Sequence, residues 1–499
     1  MKSFLKISSQ RINNFSLFII SLIILFPFLL NSFHSNDKAY IIESNEETCG
    51  IYCKTTLFMP DYFANKSFDT YFMQKSLHSF SANIIMRIFQ IYPSPLNANR
   101  LLEIQSSILL VIMIPILISI KKILNFNILE YWVIYTFIIL NSINIKYLSY
   151  SQESPDPTVI FFSLLAILVY LKNKFFLFFI ITLLSSFLQP QLKLICYIFL
   201  VFFYARGIKI SFKIKRNELI LKTILSIIFF TFISIVFMGV LRDKVAVMYL
   251  SSYTIPMLLP ISIVASSIYL SLIINYFIKF RIFNNIIKIA STKKFRINLS
   301  LVVVIELVNF FFRMNYAEGE PLSTASSLVG QGFTLTNFFY MSIQQPLKFF
   351  IPHAVTLGPI FIVIFILLIK NFRNNTVYLV DIPIVLVTFL FFLSCINPET
   401  RHLAAFLPIL ITVLIVLFDF PSITLIYFAV SNVIFSRFYS TMYTSELNSD
   451  TYFLRNGPWY TTTEYAKSVF LVFFITVISC IALSRHNANG NSFMRSDKK

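Results

Sequence analysis

The sequence predicts an all-α fold, a polytopic transmembrane bundle of about 12–14 helical spans, on three observations. Hydrophobic residues make up 57% of the 499 residues, with 58 Phe and only 13% charged residues, which is more apolar side chain than a water-soluble globule can bury. The apolar residues fall into runs near the length that crosses a hydrocarbon core. Lys and Arg collect in short segments between alternate runs, the pattern left by retention of basic residues on the cytoplasmic side.

The runs lie at about 15–33, 101–120, 128–146, 157–171, 175–188, 191–204, 219–241, 254–278, 298–312, 353–370, 377–396, 402–418, 421–435 and 467–484. The short pair flanking Gln189 and Pro190 reads as a tight helical hairpin or as two crossings. The first run has a basic start but is longer than a signal-peptide core, and no small-residue cleavage pattern follows it, so it reads as a retained helix. One transmembrane domain covers residues 1–484, and 485–499 form a short tail.

With the N-terminus inside, well over half of the 41 basic residues fall in cytoplasmic segments: Lys2, Lys6 and Arg11; Lys121 and Lys122; Lys172 and Lys174; Arg206 to Lys222; Lys279 to Arg296; Lys370 and Arg373; and the tail from Arg485. Acids concentrate in the opposite loops. Both termini are then cytoplasmic, and a bacterial inner membrane is the expected location. The formal net charge of +19 is explained by this topology, so no nucleic-acid partner is expected.

Three outer loops are long: 34–100, 313–352 and 436–466. Chemistry is therefore expected on the outer side. Within the first loop, SFDTYFMQKSLHSF and ANIIMRIFQIY have the mixed spacing of helices lying along the interface. Cys49 and Cys53 stand four apart there, either bridged or free; Cys196, Cys395 and Cys480 lie in apolar runs as small buried side chains.

Several ionisable groups sit at the outer boundary. Asp37 follows the first run and can serve as a general base on an acceptor, as a ligand to a divalent cation, or only as a solvated helix end. Glu153 and Asp156 occupy the turn before the fourth run, where Asp156 and Pro157 also suit a helix start. Glu318 and Glu320 form a further pair or solvate their loop. Arg401 and His402, with Arg242, Arg313 and Arg437, are placed to hold an anionic lipid phosphate or to snorkel. His34, His78 and His353 read as surface or packing residues. Glu306, nearly the only acid within a run, shares one helical face with Asn309 and Arg313. The chain shows no repeat, nucleotide fingerprint or metal-ligand spacing.

This arrangement resembles the GT-C superfamily of integral-membrane glycosyltransferases. The resemblance rests on a retained first helix followed at once by Asp37 in a long outer loop, an acidic turn before the fourth span, a short hairpin near the fifth and sixth, and the string ArgHisLeuAlaAlaPheLeuPro (401–408). The segment Asp37 to Tyr40 is similar to an Asp-x-x-Tyr element of some members. The family's acid pair is reduced to Asp37 followed by Lys38, and the Trp-Trp-Asp signature of oligosaccharyltransferases is missing.

The resemblance implies transfer of a sugar from a polyprenyl-phosphate-type donor to a glycan, lipid or protein acceptor outside the cytoplasm. Catalytic roles would fall on Asp37 and on Asp156 or Glu153, and substrate-binding roles on Tyr40, Arg401, His402 and Arg313. Its partners would be membrane lipid, the lipid-linked donor and the acceptor, and a divalent cation is the candidate cofactor. Two other functions fit the composition: a polysaccharide polymerase of the O-antigen type, and a lipid or glycolipid flippase or transporter.

Overall fold

A computed structural model of the chain describes residues 13–34, 51–67, 73, 75–141, 143–144, 155–206, 208–211, 221, 223–233, 235, 258–279, 282–316, 345–373, 377–397, 400–442 and 462–487. Its elements in order are α1 (Asn14–His34), α2 (Ile51–Asn65), α3 (Ser76–Ile88), α4 (Pro95–Leu124), α5 (Ile128–Ile138), α6 (Asp156–Leu171), α7 (Phe175–Ser185) and α8 (Pro190–Val201). Strand β1 (Ile208–Ser211) follows, then α9 (Leu259–Lys279), α10 (Ile282–Ala290), α11 (Lys293–Tyr316), α12 (Ile351–Leu357) and α13 (Pro359–Arg373). Strand β2 (Val377–Val380), α14 (Ile382–Ser394), a 3-10 helix (Thr400–Phe406), α15 (Leu407–Leu417), α16 (Ser422–Met442) and α17 (Thr462–Asn487) complete the described chain.

Three helical segments are long and apolar enough to cross a membrane: Pro95–Leu124, Lys293–Tyr316 and Tyr465–Leu483. Shorter apolar helices fill most of the other expected spans. Helices α7 and α8, with 11 and 12 residues, are each about 16–18 Å long, roughly half a hydrocarbon core. They form the tight hairpin that the Gln189–Pro190 pair suggested, with Pro190 at the first turn of α8.

Local chemistry sets the helix ends. Ser94 caps α4, accepting from Asn97 N at 3.3 Å, and Asn125 closes it in the left-handed region at φ 52°. Two residues later Asn127 and Glu130 form a reciprocal capping box, with bonds of 2.9 and 2.7 Å. Helices α4 and α5 therefore turn sharply and pack beside each other.

The buried core runs through α4, α5, α6, α15 and α16, with α1 laid on α4 and α17 against α12 and α13. Outward faces of the peripheral helices carry bare apolar side chains: Ile23 and Phe26 on α1, Leu307 and Phe311 on α11, Phe470, Phe473 and Phe474 on α17. An apolar exterior over a partly polar interior is the pattern suited to a hydrocarbon surrounding.

Four local features depart from the expected spans. Strands β1 and β2 pair antiparallel, Ile208 opposite Val380, so among the described residues the helices are joined by one short ribbon. The 353–370 run is divided at Gly358, whose φ is +69° and whose absent Cβ would meet the Phe435 ring at 3.4 Å. The 402–418 run opens as 3-10 helix, and α2 occupies part of the first loop where no helix was expected.

The ribbon marks one end of the bundle. There Arg206 lies 4.1 Å from the Tyr170 ring centroid and donates to the Tyr170 carbonyl, and Tyr170 donates to Asp381 Oδ2 at 3.0 Å. Lys294 stacks on Tyr204 nearby in the chain, 4.6 Å from its centroid. Segments assigned to one face by their basic residues, around 172, 206–211 and 294, thus meet the start of the 377–396 run. Helix α3 of the first loop, the α7–α8 turn and the 3-10 helix gather at the other end, here called the loop end.

Candidate functional site

The loop end is built by contacts between segments far apart in sequence. Leu77 N donates to Phe187 O at 3.0 Å, joining the start of α3 to the α7–α8 turn. Helix α6 and the 3-10 helix are tied by Ser163 Oγ donating to Ala405 O at 2.7 Å. Gln191 on α8 lies 3.1 Å from His402 Nδ1, and His353 on α12 contacts Thr400 Oγ1 at 2.9 Å and Cys395 O at 3.1 Å. The carbonyl accepts from Nε2, so Nδ1 accepts from Thr400. His353 is a satisfied packing residue.

Buried polar side chains are dense at this end. Asn99, Glu103, Ser106 and Ser107, spaced along one face of α4, are all buried, as are Lys75, His78, Ser79 and Asn83 from the α3 region. Asp156 is 2% exposed and opens α6, with Pro155 preceding it as cap. Its carboxylate sits within the first turn, where the helix dipole favours negative charge.

His78 is fully buried. Its Nδ1 lies 2.8 Å from Thr158 Oγ1 and 2.9 Å from Gln105 Nε2. The same amide nitrogen donates to the His78 carbonyl, and Ser81 donates to Gln105 Oε1, so the amide orientation is set and Nδ1 is an acceptor. The ring proton is then on Nε2, which is buried without a hydrogen-bond partner. Burial lowers the imidazole to about 4, since the charged form is desolvated. Burial likewise lowers Lys348, in the segment before α12, to about 7.

A small, partly open pocket lies where α7, α8 and α11 meet, lined by Met73, Ser186, Phe187, Lys193, Asn309, Phe312 and Arg313. Glu306, Asn309 and Arg313 fall on one face of α11, as their spacing predicted. Lys193 Nζ is 2.8 Å from Glu306 Oε1, and the Ser186 and Asn309 side chains touch at 3.2 Å. The Arg313 Nε donates to Asn309 O of its own helix at 3.4 Å. Phe63 from α2 packs edge-on against Phe312 and Tyr316, with ring centroids 6.1 and 5.2 Å away.

Of the expected site residues, Asp37, Tyr40 and Glu153 lie outside the described residues, and for Arg401 only the backbone, in the 3-10 helix, is described. Asp156, His402 and Arg313 all lie at the loop end: Asp156 at the head of α6, His402 against α8, Arg313 at the pocket. Sequence reasoning missed Lys193, Gln105 and Gln191. The signal for Lys193 was a lone cation inside an apolar run. Cys53 is disulfide-bonded; Cys196 and Cys395 are free and buried as expected, whereas Cys480 is free but exposed on α17, which presents an apolar face outward; the remaining cysteine is Cys49, outside the described residues. Among the described residues no three His, Cys, Asp or Glu side chains gather to hold a metal ion.

Comparisons with protein-family models, with curated proteins and with solved structures return no match.

Proposed function

We propose that the chain is an integral-membrane glycosyltransferase. It moves a sugar from a polyprenyl-phosphate-type donor to an acceptor at the loop end, which faces away from the cytoplasm of a bacterial inner membrane. The observation that carries this proposal is the gathering of the first-loop helices, the α6 start, the α7–α8 turn, the end of α11 and the 3-10 helix at one end of an apolar bundle. Polar and ionisable side chains buried at that end stabilise little by themselves. Their retention is explained by a polar substrate working beside lipid.

Asp37, three residues past the end of α1 in sequence, takes the acceptor proton as general base. The acceptor oxygen or nitrogen then bonds to the sugar anomeric carbon while the bond from that carbon to the donor phosphate oxygen breaks. The leaving phosphate takes up the electron pair, and cations at the loop end stabilise its charge. A divalent cation on Asp37 is the alternative route to the same stabilisation.

The test is sugar transfer by the reconstituted protein. Asp37→Asn should abolish transfer, a loss of at least about 10²-fold, while the protein still inserts and folds. A polysaccharide polymerase is the second reading, favoured by the position of Arg313 at the pocket. There, loss of Arg313 and not of Asp37 would be decisive.

A further inference from the structure

We propose that α10 and the basic turn joining it to α11 form a membrane-surface element that binds the headgroups of anionic phospholipids in the leaflet at the ribbon end. The proposal rests on the membrane reading of the fold and is independent of sugar transfer.

The position of α10 sets its depth. Helix α9 packs on α14 and α11 packs on α8, and α10 runs between them, from the end of α9 at Lys279 to the start of α11 at Lys293. Its nine residues cover about 13–14 Å. On the way Ile286 and Ile289 pack into a cluster with Phe202 and Ala205, just past the end of α8, and with Ile382, the first residue of α14. Three apolar helices thus start or stop at the level α10 occupies. In a membrane that level is the boundary between hydrocarbon and headgroups.

The side chains suit that boundary. Helix α10, IFNNIIKIA, turns Ile286 and Ile289, three positions apart, toward the bundle. Ile287 is 67% exposed, and Lys288 beside it is exposed too. Residues 279–296 hold six basic residues and no acidic one, so the segment is cationic whatever its local pairing. Lys293, Lys294 and Arg296 are exposed, and Lys294 Nζ lies 4.6 Å from the centroid of the half-exposed Tyr204 ring, an aromatic placed as in the belts at membrane surfaces.

A phospholipid accounts for both halves of this surface. Its phosphate meets the cations while Ile287 enters the acyl boundary. Exposed Ile297 and Leu299 continue the apolar surface directly from the cations along the first turns of α11. A soluble polyanion would engage the cations and leave these apolar side chains in water.

The experiment titrates the full-length protein, stripped of lipid in detergent, with phosphatidylglycerol and phosphatidylcholine of identical chains, and counts bound lipid by native mass spectrometry. Phosphatidylglycerol should be preferred, and the preference should fall as ionic strength rises. Lys288→Gln with Lys293→Gln should weaken phosphatidylglycerol at least about tenfold, since each cation near an anionic surface contributes a factor of about five, and should leave phosphatidylcholine unchanged. Lys288→Arg with Lys293→Arg should keep the preference. Lys121→Gln with Lys122→Gln, at the end of α4, should reduce it far less. In liposomes, Ile287→Trp should add fluorescence that brominated phosphatidylcholine quenches.

Equal binding of the two lipids would overturn the proposal, as would a preference indifferent to salt, a reading that holds even if the glutamine variant fails to fold. An equal loss from the Lys121 and Lys122 substitutions would make the charge a general property of helix ends, with no site at α10. Unquenched emission from the Ile287→Trp variant would put this face in water. A short DNA duplex binding through Lys288 and Lys293, with no preference for phosphatidylglycerol, would assign the surface to a soluble polyanion, and the lipid proposal would fail.

Discussion

Tyr170 donates its hydroxyl to Asp381 Oδ2 at 3.0 Å, tying the last turn of α6 to the residue before α14. Arg206 stacks on the same ring, so the aromatic side chain joins three segments at the ribbon end. Tyr170→Phe keeps the stacking and removes only the hydrogen bond. The expected cost is about 1–2 kcal/mol, because the acceptor is charged but in part exposed. Thermal unfolding of the purified protein checks it.

The turn between α4 and α5 rests on the Asn127–Glu130 capping box. Asn127→Ala removes the acceptor for Glu130 N and should cost about 1 kcal/mol. Glu130→Gln keeps a side-chain acceptor for the Asn127 backbone N–H, so its loss should be the smaller of the two. Equal losses in parallel unfolding curves would mean that the carboxylate charge, and not the box, holds this turn.

His78 makes stability depend on pH in a definite direction. Its folded-state value is lowered to about 4 from 6.5, so between those values the unfolded chain binds the proton and the folded chain does not. The contribution is full above about pH 6.5 and is lost as pH falls toward about 4, on the order of 3 kcal/mol in total. His78→Gln should flatten unfolding free energy against pH in that window. A slope unchanged by the substitution would show that another group is responsible.

Much of the bundle was legible because a run of apolar residues is a direct physical signal. Helix α1, Asn14–His34, matches the run at 15–33, and the break at Gln189–Pro190 is a real turn. What escaped depends on tertiary context or on very short segments. Residues 377–380 are apolar enough to read as helix, yet they pair with Ile208–Ser211, a partner more than 160 positions away that local propensity does not register.

The site was legible in the same uneven way. The shared face of Glu306, Asn309 and Arg313 follows from helical periodicity alone. Lys193 as partner of Glu306 does not, because it depends on how α8 packs on α11. His78 read as a surface or packing residue and is buried packing, but its bare Nε2 comes from the positions of Gln105 and Thr158 on two other helices. Helix α2 was missed since Pro60 interrupts it and Phe58 departs from helical backbone angles.

Cys53 is disulfide-bonded and fully buried against Met86 and Ala98, where α2 meets α3 and α4. A structural disulfide persists on the oxidising side of a membrane and is reduced in the cytosol. The bridge therefore bears on which side the first loop faces. Thiol labelling of the denatured, unreduced protein should modify Cys196, Cys395 and Cys480 and spare Cys53; reduction first should expose all five cysteines of the chain. If all five react without reductant in protein taken directly from cells, the first loop faces a reducing compartment. Asp37 would then lie on the side opposite the one the glycosyltransferase proposal requires, and that proposal would fall whatever the loop-end geometry.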